Sequence, residues 1–192
     1  IISTVSEGQD ALALLPTSGG KSVCFQIPGI LRDGICIVIS PLLSLMKDQV
    51  DNLVKKGISA VMISSDSTDL ERNEAFVSAR NNRIKFIYVS PERLMTESMI
   101  SLIKEKEISL FAIDEAHCVS TWGHDFRPEY SMLAQVMDLS PDTPSLAVTA
   151  NANNQTHKDV CKTLGLDGPV VTQSFPRKND TFASYKYYSQ EE

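Results

Sequence analysis

Leu12-Ala13-Leu14-Leu15-Pro16-Thr17-Ser18-Gly19-Gly20-Lys21-Ser22 passes from an apolar run, through a proline and a loop of small residues, to a lysine–hydroxyl pair that opens a helical pattern. That order builds a polyphosphate site. Small residues let backbone N–H groups turn inward around phosphate oxygens, and the following helix directs its positive end at them. Lys21 can reach β- and γ-phosphates, and the Ser22 hydroxyl can ligate Mg²⁺. Pro16, Thr17, Ser18, Gly19 and Gly20 would form the cradle. The strict pattern places glycine where Leu15 stands, so an ordinary strand-to-helix turn is the alternative for this stretch taken alone.

Outward from this loop the chain alternates between short apolar runs and helical stripes. Ala11–Leu15 and Ile35–Ile39 read as buried strands, and Ala60–Ile63, Ile84–Val89, Leu110–Ile113, Ser145–Val148 and Val170–Thr172 as further strands. Helices are expected over residues 1–8, 20–29, 42–56, 91–103, 128–137 and 154–164, with one more from a Thr68 or Asp69 cap to about Arg80. In the helix after Ser40-Pro41, the apolar stripe runs through Leu42, Leu45, Met46, Val50, Leu53 and Val54. Strands alternating with helices imply right-handed crossovers and a mostly parallel sheet flanked by helices, an α/β class.

Asp114-Glu115-Ala116-His117 follows one of these strands directly. Ligands bind at the carboxyl ends of strands in open parallel sheets, so this acidic pair and the Lys21 loop share one rim. There Asp114 would hold Mg²⁺, and Glu115 would orient and deprotonate an attacking water. An isolated Asp-Glu would read as a solvated helix start; the phosphate loop upstream is what changes its meaning.

Other stretches fall on the same rim. Ser40-Pro41-Leu42-Leu43-Ser44-Leu45-Met46-Lys47-Asp48-Gln49 and Ser90-Pro91-Glu92-Arg93 present hydroxyls and amides at strand ends, where they can grip a nucleic-acid phosphate or simply cap helices. Cys118 through Arg127 carries the only tryptophan: Trp122, His124, Phe126 and Arg127 suit stacking on unpaired bases, or else cover the core edge. Thr149 and Asn151 can hydrogen-bond the Asp114–His117 segment and report nucleotide state.

Composition bounds the rest. The chain has 192 residues, 42% hydrophobic and 22% charged, with a formal net charge of −6. That suits one sizeable core and excludes an overall basic nucleic-acid footprint, so any such contact must be local. Cys24, Cys36, Cys118 and Cys161 form no Cys-x-x-Cys pair, which argues against zinc and for a reduced intracellular protein. No apolar run suits a membrane span. The start at Ile1-Ile2-Ser3-Thr4-Val5 reads as the interior of a longer protein.

Taken together, Pro16-Thr17-Ser18-Gly19-Gly20-Lys21-Ser22, the Ser40–Gln49 stretch, Asp114-Glu115-Ala116-His117 and Trp122-Gly123-His124-Asp125-Phe126-Arg127 resemble the RecQ family of superfamily 2 DNA helicases. Ser90-Pro91-Glu92-Arg93 and Thr149-Ala150 occur in the matching order. The resemblance implies a RecA-like (P-loop NTPase) three-layer sandwich, the first of two motor domains, over residues 1–176. Residues 177–192 would be the linker and start of a second such domain acting in cis. It implies ATP and Mg²⁺ as cofactors, and Lys21, Asp114, Glu115 and His117 as catalytic residues. Its partners would be single-stranded and junction DNA, contacted through Ser40, Pro41, Gln49, Ser90, Pro91, Arg93, Trp122, His124, Phe126, Arg127, Thr149 and Asn151. Translocation would run 3′ to 5′ in DNA repair and recombination, in the nucleus of a eukaryote or the cytoplasm and nucleoid of a bacterium.

Three departures qualify the likeness. Ser18 replaces a family glycine, and if that position needs positive φ it is strained by about 1 kcal/mol or more. Thr149-Ala150-Asn151 stands where the family has Thr-Ala-Thr. Phe175-Pro176-Arg177-Lys178-Asn179 replaces a family-like Phe-Asp-Arg-Pro-Asn. These keep two other readings open: a RecQ-derived binding module that has lost turnover, and an RNA-remodelling superfamily 2 ATPase. A separate motor domain also lacks arginine fingers supplied in trans, worth about 10³–10⁵ in rate for related ATPases. Alone it is expected to bind nucleotide weakly and to unwind nothing.

Overall fold

A computed structural model describes residues 1–16, 19–120, 126–150 and 154–172. Seven apolar runs become strands: β1 (Ala11–Leu14), β2 (Ile35–Ile39), β3 (Ala60–Ile63), β4 (Phe86–Val89), β5 (Ile108–Ile113), β6 (Ser145–Thr149) and β7 (Val170–Thr172). They form one sheet in the order β3-β4-β2-β5-β6-β1-β7, and every pairing among them is parallel. The expected α/β class holds.

The three strands at the centre of one half, β2, β4 and β5, are buried at every position. Such continuous burial requires cover on both faces, and the alternation of side chains shows how it is divided. Cys36 and Val38 face one core with Val5 of α1 (Ile2–Ser6), Phe25 of α2 (Lys21–Leu31), and Met46 and Leu53 of α3 (Leu43–Lys55). Ile35, Ile37 and Ile39 face the other. There they meet Phe76 of α4 (Asp69–Arg80), Leu102 of α6 (Glu97–Glu105), Leu133 of α7 (Leu133–Met137) and Val160 of α8 (Asn154–Leu164). Each fully buried isoleucine or phenylalanine contributes roughly 1.5–3 kcal/mol of transfer free energy. Two cores against one sheet make three layers.

Several elements differ from expectation for local reasons. The helix expected over 91–103 is two, α5 (Pro91–Leu94) and α6, because Thr96 adopts an extended backbone and its hydroxyl donates to the Arg93 carbonyl at 2.8 Å. The segment 128–137 begins as a 3₁₀ turn, Pro128–Met132, before α7. In α3 the buried face is Met46, Gln49 and Leu53, while Leu42 and Val54 are about half exposed, so the stripe is narrower than its apolar residues suggest. No helix among the described residues is long and apolar enough to cross a membrane.

Because the strands run parallel, Leu14, Ile39, Val89, Ile113 and Thr149 all end on one rim. Only β6 separates β1 from β5. With about 4.8 Å between neighbouring strands, the residues after β1 and β5 lie about 10 Å apart, the scale of a triphosphate.

Candidate active site

Leu15 continues β1 by donating its N–H to the Thr149 carbonyl at 3.0 Å, and it is buried. A leucine fits where the strict motif has glycine because the chain is still extended there. The turn comes later. Gly19 N–H donates to the Pro16 carbonyl at 2.8 Å, and a Cβ on Gly19 would stand 2.8 Å from that same oxygen. Gly20 takes φ +78° and caps α2. Helix α2 starts at Lys21 with no acidic residue in its first turn, so the N–H groups at its very start point toward an anion, while the Val23 N–H already donates to the Gly20 carbonyl at 3.0 Å.

From β5 the chain delivers Asp114, whose N–H donates to the Ile39 carbonyl at 2.8 Å. Asp114 is buried, 3% exposed. Oδ1 accepts the Glu115 N–H at 2.9 Å, and Oδ2 accepts the Ser40 hydroxyl at 3.4 Å. Burial, then the neighbouring Glu115 charge, pushes the Asp114 carboxyl above its ordinary range. Glu115 itself stands in the left-handed region, φ 48° and ψ 44°, a conformation costing a non-glycine residue about 1–2 kcal/mol. That turn swings its side chain across the rim. Its Oε1 lies 3.1 Å from Lys21 Nζ, with both side chains about one-sixth to one-fifth exposed. Its Oε2 lies 3.3 Å from His117 Nδ1, which in turn is 2.9 Å from Thr149 Oγ1. Hydrogen bonding to His117, followed by the Lys21 charge, holds the Glu115 carboxyl below its usual range. Two adjacent carboxyls are thus pushed in opposite directions by their surroundings.

The donor set suits a hard divalent cation: the Ser22 hydroxyl on one side, the buried Asp114 carboxylate on the other. An ionised carboxylate is costly at that depth, and a cation would relieve the cost. Among the described residues no group of three or more His, Cys, Asp or Glu could hold a metal alone. A Mg²⁺ here would therefore depend on phosphate oxygens and water for its remaining ligands.

The residues expected to meet nucleic acid divide. Ser40, Gln49, Ser90 and Pro91 are buried. Ser40 serves Asp114; Gln49 Oε1 accepts the Tyr88 hydroxyl at 3.0 Å; the Ser90 hydroxyl donates to Glu92 Oε1 at 2.6 Å. The side chains of Ser40, Gln49 and Ser90 thus have hydrogen-bond partners within the protein. Pro41 and Arg93 are half-buried on the rim, and Phe126 and Arg127 are exposed. Thr17, Ser18, Trp122, His124, Asn151 and the segment 173–192 lie outside the described residues, so the expectations placed on them carry no geometry here. Tyr130, whose hydroxyl donates to the Asp114 carbonyl at 3.0 Å, was not singled out by the sequence. Its partner is a backbone atom, which leaves no pattern in the residues.

The parallel order, the glycine-capped loop and the acidic pair define a RecA-like nucleotide-binding architecture. Solved structures agree on the fold. The Pyrococcus furiosus Hef helicase domain matches with a TM-score of 0.67 at 18% identity, over 89% of this chain and 37% of that one. The DUF1998 helicase MrfA, bound to DNA and AMPPNP, matches at 0.68 and 17% identity, over 91% of this chain and 26% of that one. The family description "DEAD/DEAH box helicase" matches residues 1–160, and the chain belongs to that family. It is 44% identical over 180 residues to the ATP-dependent DNA helicase RecQ of Pasteurella multocida, spanning 93% of this chain and 28% of that protein. It is 42% identical over 189 residues to RecQ of Haemophilus influenzae, spanning 98% and 30%. With the probable helicase RecS of Bacillus subtilis it shares 46% over 171 residues, spanning 88% and 34%. The chain thus spans about a third of the length of the curated relatives it matches.

Proposed function

We propose that this chain is the first motor domain of a RecQ-type ATP-dependent 3′-to-5′ DNA helicase. Residues 1–176 would form the nucleotide-binding domain, and 177–192 the exit toward a second motor domain. The observation that carries this reading is the meeting of Lys21 with Glu115 at 3.1 Å, beside the buried Asp114, across the single strand β6. The curated relatives named above are ATP-dependent DNA helicases, which supports DNA as the polymer.

The chemistry follows from the charges. Lys21 and Glu115 neutralise each other as an ion pair. A triphosphate bound at the first turn of α2 would offer Lys21 a stronger anion than Glu115, and Lys21 would supply positive charge to its phosphates. Glu115 would then be released from Lys21 to accept a proton from water. Ser22 and Asp114 would hold Mg²⁺, which neutralises phosphate charge when bound. His117, between Glu115 and Thr149, ties the acidic turn to the end of β6. Phe126 and Arg127 are exposed for DNA: the ring for stacking on a base, the guanidinium for a phosphate.

The test uses the full-length protein carrying this chain, with DNA-stimulated ATP hydrolysis as readout. Lys21→Ala and Glu115→Gln should each lower kcat/KM by about 10²-fold or more, Glu115→Gln through kcat and Lys21→Ala through nucleotide affinity as well. Stimulation should be greater with single-stranded DNA than with RNA. Full activity in both variants would refute the motor reading.

A further inference from the structure

Strand β3 ends the sheet: it pairs with β4 on one side, and among the described residues no strand pairs with it on the other. The ladder to β4 shows which of its groups face outward. The Ser59 and Ile63 carbonyls accept the Phe86 and Ser90 N–H groups at 3.1 and 3.3 Å, and Val61 stands opposite Ile87 in the same parallel register. Successive residues of a strand direct their backbone groups to opposite sides, so Met62, between Val61 and Ile63, turns its N–H and C=O to the open edge. The strand reads Ala60-Val61-Met62-Ile63. It carries neither a charge nor a proline, the usual guards of an exposed edge.

A groove of about 510 Å³ opens along this edge. Val61 and Met62 form its floor, and both are only partly buried. Met62 and Val50 pack toward the core under α3, whereas Val61 packs toward the core under α4. The walls accordingly come from both layers: Val50 and Asp51 of α3 on one side, Glu74 and Ala75 of α4 on the other. Asp66 and Glu71 bring the lining carboxylates to four, all on exposed residues, against a single lysine, Lys47. Among the described residues none of the four takes part in an ion pair.

We propose that this groove binds an extended, arginine- or lysine-rich segment of another protein, which adds to β3 as an eighth strand. The backbone of Met62 supplies main-chain hydrogen bonds, and alternate side chains of the incoming strand meet Asp51 on the α3 wall and Glu71 and Glu74 on the α4 wall. The same carboxylates repel nucleic-acid phosphates, so a peptide and not a nucleic acid is the polymer that fits. In the sheet order β3 lies five strand spacings from β1, about 24 Å, so the segment can be held while the phosphate loop is occupied. Neither the groove nor its charge depends on the motor reading.

The test uses the full-length protein and a labelled eight-residue peptide in which pairs of arginine alternate with pairs of valine, so that both sides of an added strand carry each. Fluorescence anisotropy should show saturable binding with a dissociation constant of about 100 µM or tighter. Two further peptides, N-methylated at the odd or at the even residues, probe the backbone. Only alternate residues of an added strand face β3, so one of them should bind about tenfold or more weakly while the other stays within about threefold of the parent peptide. Equal affinities for the two overturn strand addition. Asp51→Lys combined with Glu74→Lys should weaken the parent peptide about tenfold or more, with circular dichroism and the thermal midpoint reporting the fold. Should that variant not fold, Asp51→Asn with Glu74→Gln should give a smaller loss in the same direction. Unchanged affinity in a folded variant overturns the groove as the site. A full-length protein that binds no arginine peptide overturns the proposal as well; self-association that the charge reversal abolishes would then make a second copy the occupant.

Discussion

Gly19 and Gly20 sit side by side in the phosphate loop for different physical reasons, and the difference is measurable. Gly20 has φ +78° with open space where a Cβ would go, so Gly20→Ala costs only backbone strain, about 1–2 kcal/mol. Gly19 has a backbone oxygen, that of Pro16, 2.8 Å from the ideal Cβ position. No side-chain rotation relieves that contact, and Gly19→Ala must open the loop itself. Titration with a fluorescent ATP analogue should show Gly20→Ala weakening binding by about tenfold or less, and Gly19→Ala weakening it further. Equal losses would mean that the loop yields freely at both positions. The Gly-Gly-Lys-Ser core and the Asp-Glu pair were legible in the residues because each is a local pattern with a local cause. The left-handed turn at Glu115 was not, because that conformation is held by partners distant in the chain: Lys21, Asp114's burial against Ser40, and Tyr130.

At the scale of elements, helix α4 shows what a terminus contributes. Thr68 Oγ1 accepts the Glu71 N–H at 3.2 Å, and Glu71 Oε2 accepts the Thr68 N–H at 2.7 Å, a reciprocal capping box. The Thr68 N–H and then its hydroxyl hold the exposed Glu71 carboxyl below its ordinary value of 4.5. A depressed acid stabilises the fold fully above its unfolded pKa, and that contribution is lost as pH falls through the folded value. Thr68→Ala should cost about 1 kcal/mol in urea unfolding at neutral pH. The gap between the two proteins should narrow as the medium is acidified below about pH 4. An unchanging gap would show that the carboxylate takes no part. A cap at Thr68 or Asp69 was readable from the residues, and the structure selects Thr68; β2, β3 and β7, whose apolar runs have sharp ends, were readable as well. The break between α5 and α6 was not, since Thr96 bonds Arg93 in competition with a helix that the apolar spacing permits.

Across the whole molecule, strand order was the part no local pattern could supply. The sequence orders the strands along the chain, and only packing inserts β6 between β1 and β5, which is what sets the width of the site. The same packing builds a polar bridge inside an otherwise apolar layer. Gln26 of α2 donates from Nε2 to the Tyr88 hydroxyl of β4 at 3.2 Å, and that hydroxyl donates to Gln49 of α3 at 3.0 Å. Tyr88 is fully buried, and burial raises its pKa well above the ordinary tyrosine range, so the hydroxyl remains a donor at any working pH. The bridge joins the helix after the phosphate loop to the helix after Ser40, through the strand whose end carries Ser90. Removing the hydroxyl alone leaves two amides without their partner, and Tyr88→Phe should cost about 1–3 kcal/mol although it makes the core more apolar. Removing all three polar groups removes the unmet demand as well. Tyr88→Phe combined with Gln26→Leu and Gln49→Leu should therefore recover most of the loss in equilibrium unfolding. If the single variant is as stable as wild type, the amides find other partners and the bridge fixes nothing. If the triple variant is stable but its DNA-stimulated ATPase drops, the bridge sets the relative placement of the two rim helices at no net cost to folding.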